Sequence, residues 1–215
     1  METVSQAKSQ TGSGTHTKTL GSATRQPQMK ILLVSPPRLL WPYMNEQDNF
    51  LLPQWMPSLA GVLGDFQVEV IDCLPEKIGW TALEQHILDA APDVVASGEN
   101  HAVYASETIR LVEMVKRILP KTRVILGGAH FTNLAEQYLK NFPIDFVVRG
   151  EGELTFKQLL EAIANERNDY SDIQGISYLS DSDVVTTPPR PLVDDLDSLP
   201  MPRYDLMPMA KYGQA

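Results

Sequence analysis

Four short stretches carry the residue types that can do chemistry: Ser35-Pro36-Pro37, Ser97-Gly98-Glu99-Asn100-His101, Gly127-Gly128-Ala129-His130 and Gly150-Glu151-Gly152-Glu153. Glycine lets a second backbone or a flat ligand come close, because no Cβ holds it away. Imidazole and carboxylate groups can ligate metals. His101 and His130 would need a third partner such as Glu99 or Glu151 to do so, and otherwise read as ordinary loop histidines. Glu151 and Glu153 also suit the amino terminus of a following helix, where negative charge is favoured. Taken together, the four stretches describe a broad platform of backbone amides for a large, hydrogen-bonding ligand. Neither the six-residue glycine fingerprint of dinucleotide binding nor a phosphate loop ending in Gly-Lys-Ser/Thr is present, which disfavours an ordinary nucleotide site.

Each stretch closes an apolar run. Lys-Ile-Leu-Leu-Val (30–34), Asp-Val-Val-Ala-Ser (93–97), Val-Ile-Leu (124–126) and Ile-Asp-Phe-Val-Val-Arg (144–149) read as strands buried on both faces of a parallel sheet. Gln67 to Asp72 alternates and reads as a strand near the sheet edge. Helical patterns fall between the runs: Trp55 to about Gly64 with proline in its first turn, Trp80 to Ala90, Val103 to Leu119, Thr132 to Leu139, and Leu154 to Ala164. Five strands alternating with five helices predict a flavodoxin-like (Rossmann-like) α/β domain over 29–165, with a parallel sheet in the order 2-1-3-4-5. In such sheets ligands bind outside the carboxyl ends of the strands, where all four stretches fall.

Outside that unit the pattern changes. Residues 1–28 are rich in Ser, Thr, Gly and Gln and are expected to be a disordered tail. The segment from Arg38 to Gln54 is long for a connection, and its aromatics and prolines suggest a binding loop. Residues 166–215 hold a small hairpin (175–179 and 184–187) and an acidic, proline-rich linker with Asp194, Asp195 and Asp197. The net charge of −9 argues against a nucleic-acid binder. No run reaches membrane-spanning length and no signal peptide is visible, so a cytoplasmic protein is expected. Cys73 is the sole cysteine, which excludes an internal disulfide or an all-cysteine metal site within this chain, and it reads as a half-buried structural thiol.

These motifs, in this order, resemble the amino-terminal cobalamin-binding domain of cobalamin-dependent radical SAM enzymes, the group that includes class B methyltransferases and a bacteriochlorophyll ring cyclase. The resemblance spans residues 29 to about 208. It rests on Ile31-Leu32-Leu33-Val34 with Ser35-Pro36-Pro37, Pro57-Ser58-Leu59-Ala60, Val70-Ile71-Asp72, Gly127-Gly128-Ala129-His130, Val148-Arg149-Gly150-Glu151-Gly152-Glu153, and Asp195-Leu196-Asp197-Ser198-Leu199-Pro200-Met201-Pro202.

The resemblance implies cobalamin as cofactor and partner. The corrin would lie over the strand ends, and its nucleotide tail would run into the sheet edge. Gly127 and Gly128 would leave room for the tail, and Ser97 would line the cleft. Glu151 or Glu153 would accept hydrogen bonds from corrin amides or ribose hydroxyls, with His101 and His130 as lining residues. Trp41, Tyr43 and Trp55 would cover a corrin face, although Trp55 suits a core role equally. The cobalt-ligating histidine of Asp-x-His-x-x-Gly in methionine-synthase-type domains has no counterpart in Ser35-Pro36-Pro37-Arg38-Leu39-Leu40, so base-off cobalamin without a protein imidazole is implied. SAM and an iron–sulfur cluster would belong to a longer chain. Two other classes share the fold: a cofactor-free receiver or interaction module, and a flavin or nucleotide binder.

Overall fold

In the computed structural model, which describes residues 1, 28–38 and 51–212, the chain forms a seven-stranded sheet in the order β2-β1-β3-β4-β5-β6-β7. The strands are β1 (Lys30–Ser35), β2 (Gln67–Asp72), β3 (Val94–Gly98), β4 (Arg123–Gly127), β5 (Phe146–Val148), β6 (Ile176–Ser180) and β7 (Asp183–Thr186). The first five are parallel, in the order expected from the sequence. The sheet is larger than the five strands expected. The hairpin adds β6 antiparallel to β5 and then β7 to β6. Alternation alone could not place it, because a short hairpin is marginal in water and gains stability by extending an existing sheet.

Alternate side chains enter two separate cores, as a sheet covered on both faces requires. Ile31, Leu33, Val94, Ala96, Ile125 and Phe146 pack under α1 (Trp55–Val62) and α7 (Gly152–Ala164). Leu32, Val34, Val95, Val124, Leu126 and Val147 pack on the other face. That face is covered by α3 (Trp80–Ala90), α4 (Ala105–Ile118), α5 (Gly128–Asn133) and α6 (Ala135–Asn141), while a single turn, α2 (Cys73–Glu76), follows β2. Asp145 ties the lower end of the sheet together, accepting from Lys116 Nζ at 2.6 Å, Arg123 Nη1 at 2.8 Å and the Val124 amide at 2.7 Å.

Some boundaries differ from expectation. The helix expected over Thr132 to Leu139 begins at Gly128 and breaks at Leu134, whose φ of −120° and ψ of 20° leave the helical range. The helix expected from Leu154 begins at Gly152, and the one expected from Val103 begins at Ala105 behind a 3-10 turn. Cys73 is fully buried rather than half-buried, and burial beside Asp72 and Glu76 pushes its thiol up to about 12. The expected tail over 1–28 and the aromatic loop residues Trp41, Tyr43 and Phe50 lie outside the described residues, apart from Met1 and Gln28.

The acidic, proline-rich segment after β7 docks as a strap. The Gly175 amide donates to the Pro188 carbonyl at 2.8 Å, and Arg190 Nε donates to Thr155 Oγ1 on α7 at 2.8 Å. The strap then crosses α1, where the Arg203 amide donates to the Pro57 carbonyl at 2.9 Å. Met207 is buried in the core on that side. Gly61 accommodates the crossing: a Cβ there would stand 2.7 Å from the Met201 carbonyl oxygen. Tyr212 Oη finally donates to Asp72 Oδ2 at 2.7 Å, at the end of the edge strand β2.

Candidate functional site

The carboxyl ends of β3, β4 and β5 and the first turns of α1 and α7 enclose a cleft of about 270 Å³. Its formation follows from the strand endings. Gly98 and Gly127 are register partners on neighbouring strands, so two adjacent positions lack side chains. Gly128 (φ +88°) turns the chain sharply from β4 into α5; a Cβ there would lie 2.8 Å from both the Glu99 carbonyl carbon and amide nitrogen. Gly150 (φ +75°) makes the corresponding turn ahead of α7, with open space where its Cβ would be. The β3 and β4 ends are knitted together. The Glu99 amide donates to the Gly127 carbonyl at 3.1 Å, the His130 amide to the Glu99 carbonyl at 3.2 Å, and the Ala129 amide to Asn100 Oδ1 at 3.0 Å.

The apolar part of the lining is Trp55, Leu59, Ala96, Ile125, Val148 and Phe156. Ser97, Asn100, Glu151 and Glu153 line it as well, among the glycines Gly98, Gly127, Gly128, Gly150 and Gly152. Ser97 is only 3% exposed, and its Oγ has no hydrogen-bond partner among the described residues. A buried hydroxyl left unpaired costs on the order of 1–3 kcal/mol unless something satisfies it. A mostly apolar concavity with one unsatisfied donor at strand ends is the usual form of a small-molecule site.

The structure brings nine of the sixteen strand-end residues singled out in the sequence to this cleft. The others lie elsewhere. Pro36 and Pro37 are buried where β1 ends. Glu99 folds its carboxylate back onto the Asn100 and His101 amides at 2.8 and 2.9 Å. Ala129 is exposed. His130 turns into the helical layer, where Nε2 lies 2.8 Å from Tyr138 Oη and its ring meets Phe131 edge-on. His101 lines a second hollow of about 400 Å³ over the ends of β1 and β2, with Ser35, Arg38, Asp72 and Tyr104. Among the described residues, no three His, Cys, Asp or Glu side chains gather as a metal-binding group. Glu151 is engaged by the strap, its Oε2 accepting from the Val193 amide at 2.8 Å.

Two helical residues of the cleft, Leu59 and Phe156, were not among the sequence candidates: their helices' apolar periodicity points only to core, whereas Trp55 reads equally as cover for a corrin face. Their role as wall depends on α1 and α7 sharing one face of the sheet, a tertiary fact without a local signal.

Fold and cleft together define a flavodoxin-like α/β domain that holds a small-molecule ligand at its strand ends. The B12 binding domain family model matches residues 42–160, and the chain belongs to that family. It is 36% identical over 188 residues to an uncharacterized methyltransferase, PH0819, of Pyrococcus horikoshii, covering 86% of this chain and 40% of that protein. It is 33% identical over 168 residues to the anaerobic magnesium-protoporphyrin IX monomethyl ester cyclase of Rubrivivax gelatinosus, covering 74% of this chain and 30% of the cyclase. Its fold matches the radical S-adenosylmethionine methyltransferase TsrM from Kitasatospora setae, solved with cobalamin and a [4Fe-4S] cluster bound, with a TM-score of 0.64 at 21% identity over 81% of this chain and 31% of that one. The chain thus spans less than half the length of these relatives. Among the described residues no helix is long and apolar enough to cross a membrane.

Proposed function

We propose that the chain holds cobalamin with its nucleotide tail in the cleft and its corrin over the strand ends, as the cofactor-binding part of a radical SAM enzyme such as a methyltransferase. The buried, unpartnered Ser97 Oγ, at the lining of the cleft, carries this reading: a ligand heteroatom would satisfy it. The glycine strand ends fit the same group: a Cβ at Gly127 would meet only the Val148 carbonyl oxygen, at 3.6 Å, so a side chain there would take up otherwise open space. The corrin would extend over the neighbouring hollow beside Ser35 and Arg38.

The segment after β1 offers Ser35, Pro36, Pro37 and Arg38 and no imidazole. With its tail in the cleft the cobalamin would be base-off, and no histidine of that segment would replace the base as ligand. When bound, cobalamin supplies a cobalt centre able to carry a methyl group. This chain's residues orient the tail, exclude water from it and fix the corrin's position. SAM and the iron–sulfur cluster would be held by a further domain.

The test is direct. The purified protein is mixed with hydroxocobalamin, desalted, and its visible spectrum recorded. Retained corrin absorbance with the base-displaced spectrum is expected; loss of all corrin on desalting would overturn the proposal.

A further inference from the structure

Resting on the cobalamin reading, we infer that the strap is a ligand-linked clasp: filling the cleft and the neighbouring hollow closes it on the domain, and its closure tightens binding in return. From Val193 onward its anchors land on residues that line one of the two cavities, or stand within two positions of one. The Val193 amide donates to Glu151 Oε2, at the cleft, at 2.8 Å. The Arg203 amide donates to the Pro57 carbonyl at 2.9 Å, between the cleft residues Trp55 and Leu59. Tyr204 Oη donates to Gln54 Oε1 at 3.0 Å, between Pro53 of the hollow and Trp55 of the cleft. Lys211 Nζ meets Glu76 Oε1 at 2.9 Å, two positions after Leu74 of the hollow, and Tyr212 Oη donates at 2.7 Å to Asp72, which lines the hollow itself.

The strap is also the segment that opens most easily. Met207 is the one buried side chain between 188 and 212, and Leu192, Leu196 and Met201 are largely exposed. A segment with so few buried apolar contacts can detach without unfolding the rest. Detachment would uncover Pro57 and Gly61 of α1, leave the Glu151 carboxylate unheld and loosen the helix that carries Trp55 and Leu59. A ligand packed against those residues binds the closed state better, because less ordering is left to do. By reciprocity it must favour closure by the same factor. Among the described residues none of the strap lines either cavity, so the link runs through α1, Glu151 and Asp72.

The test reads amide hydrogen exchange over 193–212 by mass spectrometry, with and without saturating hydroxocobalamin, beside cobalamin affinity by equilibrium dialysis and corrin absorbance. In wild type the ligand should slow strap exchange about fivefold or more. The second arm is the double variant Gly61→Ala/Tyr212→Phe. Alanine suits the helix, but its Cβ would stand 2.7 Å from the Met201 carbonyl oxygen and push the strap off α1, while phenylalanine removes the hydroxyl that Asp72 accepts. Strap amides should then exchange at close to the unprotected rate, with β1 and β3 amides still protected as the measure of an intact sheet. Cobalamin affinity should fall by the factor by which ligand slows wild-type exchange. Wild-type strap exchange unchanged by bound cobalamin, or a released strap with unaltered affinity, would overturn the inference while cobalamin binding stands. If the double variant still protects its strap, the wild-type comparison alone decides; if wild type retains no corrin, the cobalamin reading itself falls.

Discussion

Replacing Gly128 by alanine isolates the physical cost of the turn that forms the cleft floor. Two penalties act there. A non-glycine residue at a φ of +88° costs about 1–2 kcal/mol. The added Cβ would also fall within 2.8 Å of the Glu99 backbone, so β3 and β4 must part, at a cost of about 1–3 kcal/mol. The sum, roughly 2–5 kcal/mol, is a large share of a typical domain stability of about 5–15 kcal/mol. Gly150 provides the control. Its φ of +75° imposes the first penalty, but open space where its Cβ would stand removes the second. Urea unfolding followed by circular dichroism should show a loss of about 2–5 kcal/mol for Gly128→Ala and a smaller one, about 1–2 kcal/mol, for Gly150→Ala, with a common denaturant slope. Equal losses in the two variants, or a loss below about 1 kcal/mol for Gly128→Ala, would refute the close approach of the two strand ends.

Two further outcomes follow from the cleft and the strap. Ser97→Ala removes a hydroxyl that nothing in the fold satisfies, so urea stability should stay within about 1 kcal/mol of wild type, while cobalamin affinity measured by dialysis falls about two- to tenfold. Burial raises the Asp72 carboxyl above its ordinary value of 3.8, against the opposing hydrogen bonds from Tyr212 and others. The fold therefore favours the protonated form, and this stabilisation is complete below that value and lost as pH climbs through the raised one. Asp72→Asn keeps a neutral acceptor for Tyr212 and should gain on wild type in urea midpoint as pH rises from about 4 to 7; a constant difference across that range would count against it.

The parallel sheet was readable because both of its faces are covered. Ile31 to Val34 are apolar without alternation, as a doubly buried strand must be, while Gln67 to Asp72 alternates because β2 is an edge. The glycines marked strand ends for the same local reason, since turns at positive φ select glycine at Gly128 and Gly150. What local pattern could not supply was direction. His130 and Glu99 have the right types at a strand end, yet one packs against Tyr138 and the other caps its own loop. Glu151 reads as a ligand contact or a helix-terminal charge; it does stand at the N-cap of α7, and its carboxylate also holds the strap, which no local pattern indicates. The strap reads as linker because proline and acid dominate it, and its anchors are single residues, Met207 and Tyr212, separated by turns. The start of α5 was missed because Gly127 and Gly128 signal a turn more strongly than the helix that follows them.

The strap gives the cleft a history. Tyr212 and Asp72 are 140 residues apart, so synthesis at about 5–20 residues per second leaves an interval of roughly 7–28 s between their appearances. The five parallel strands are all present once Val148 is made, but α1 has no cover over Pro57 and Gly61 until Met201 and Arg203 follow, and Glu151 has nothing to hold until Val193 does. The α1 side of the cleft is consequently covered last. Whatever first meets the nascent domain meets a finished floor and a wall still free to move.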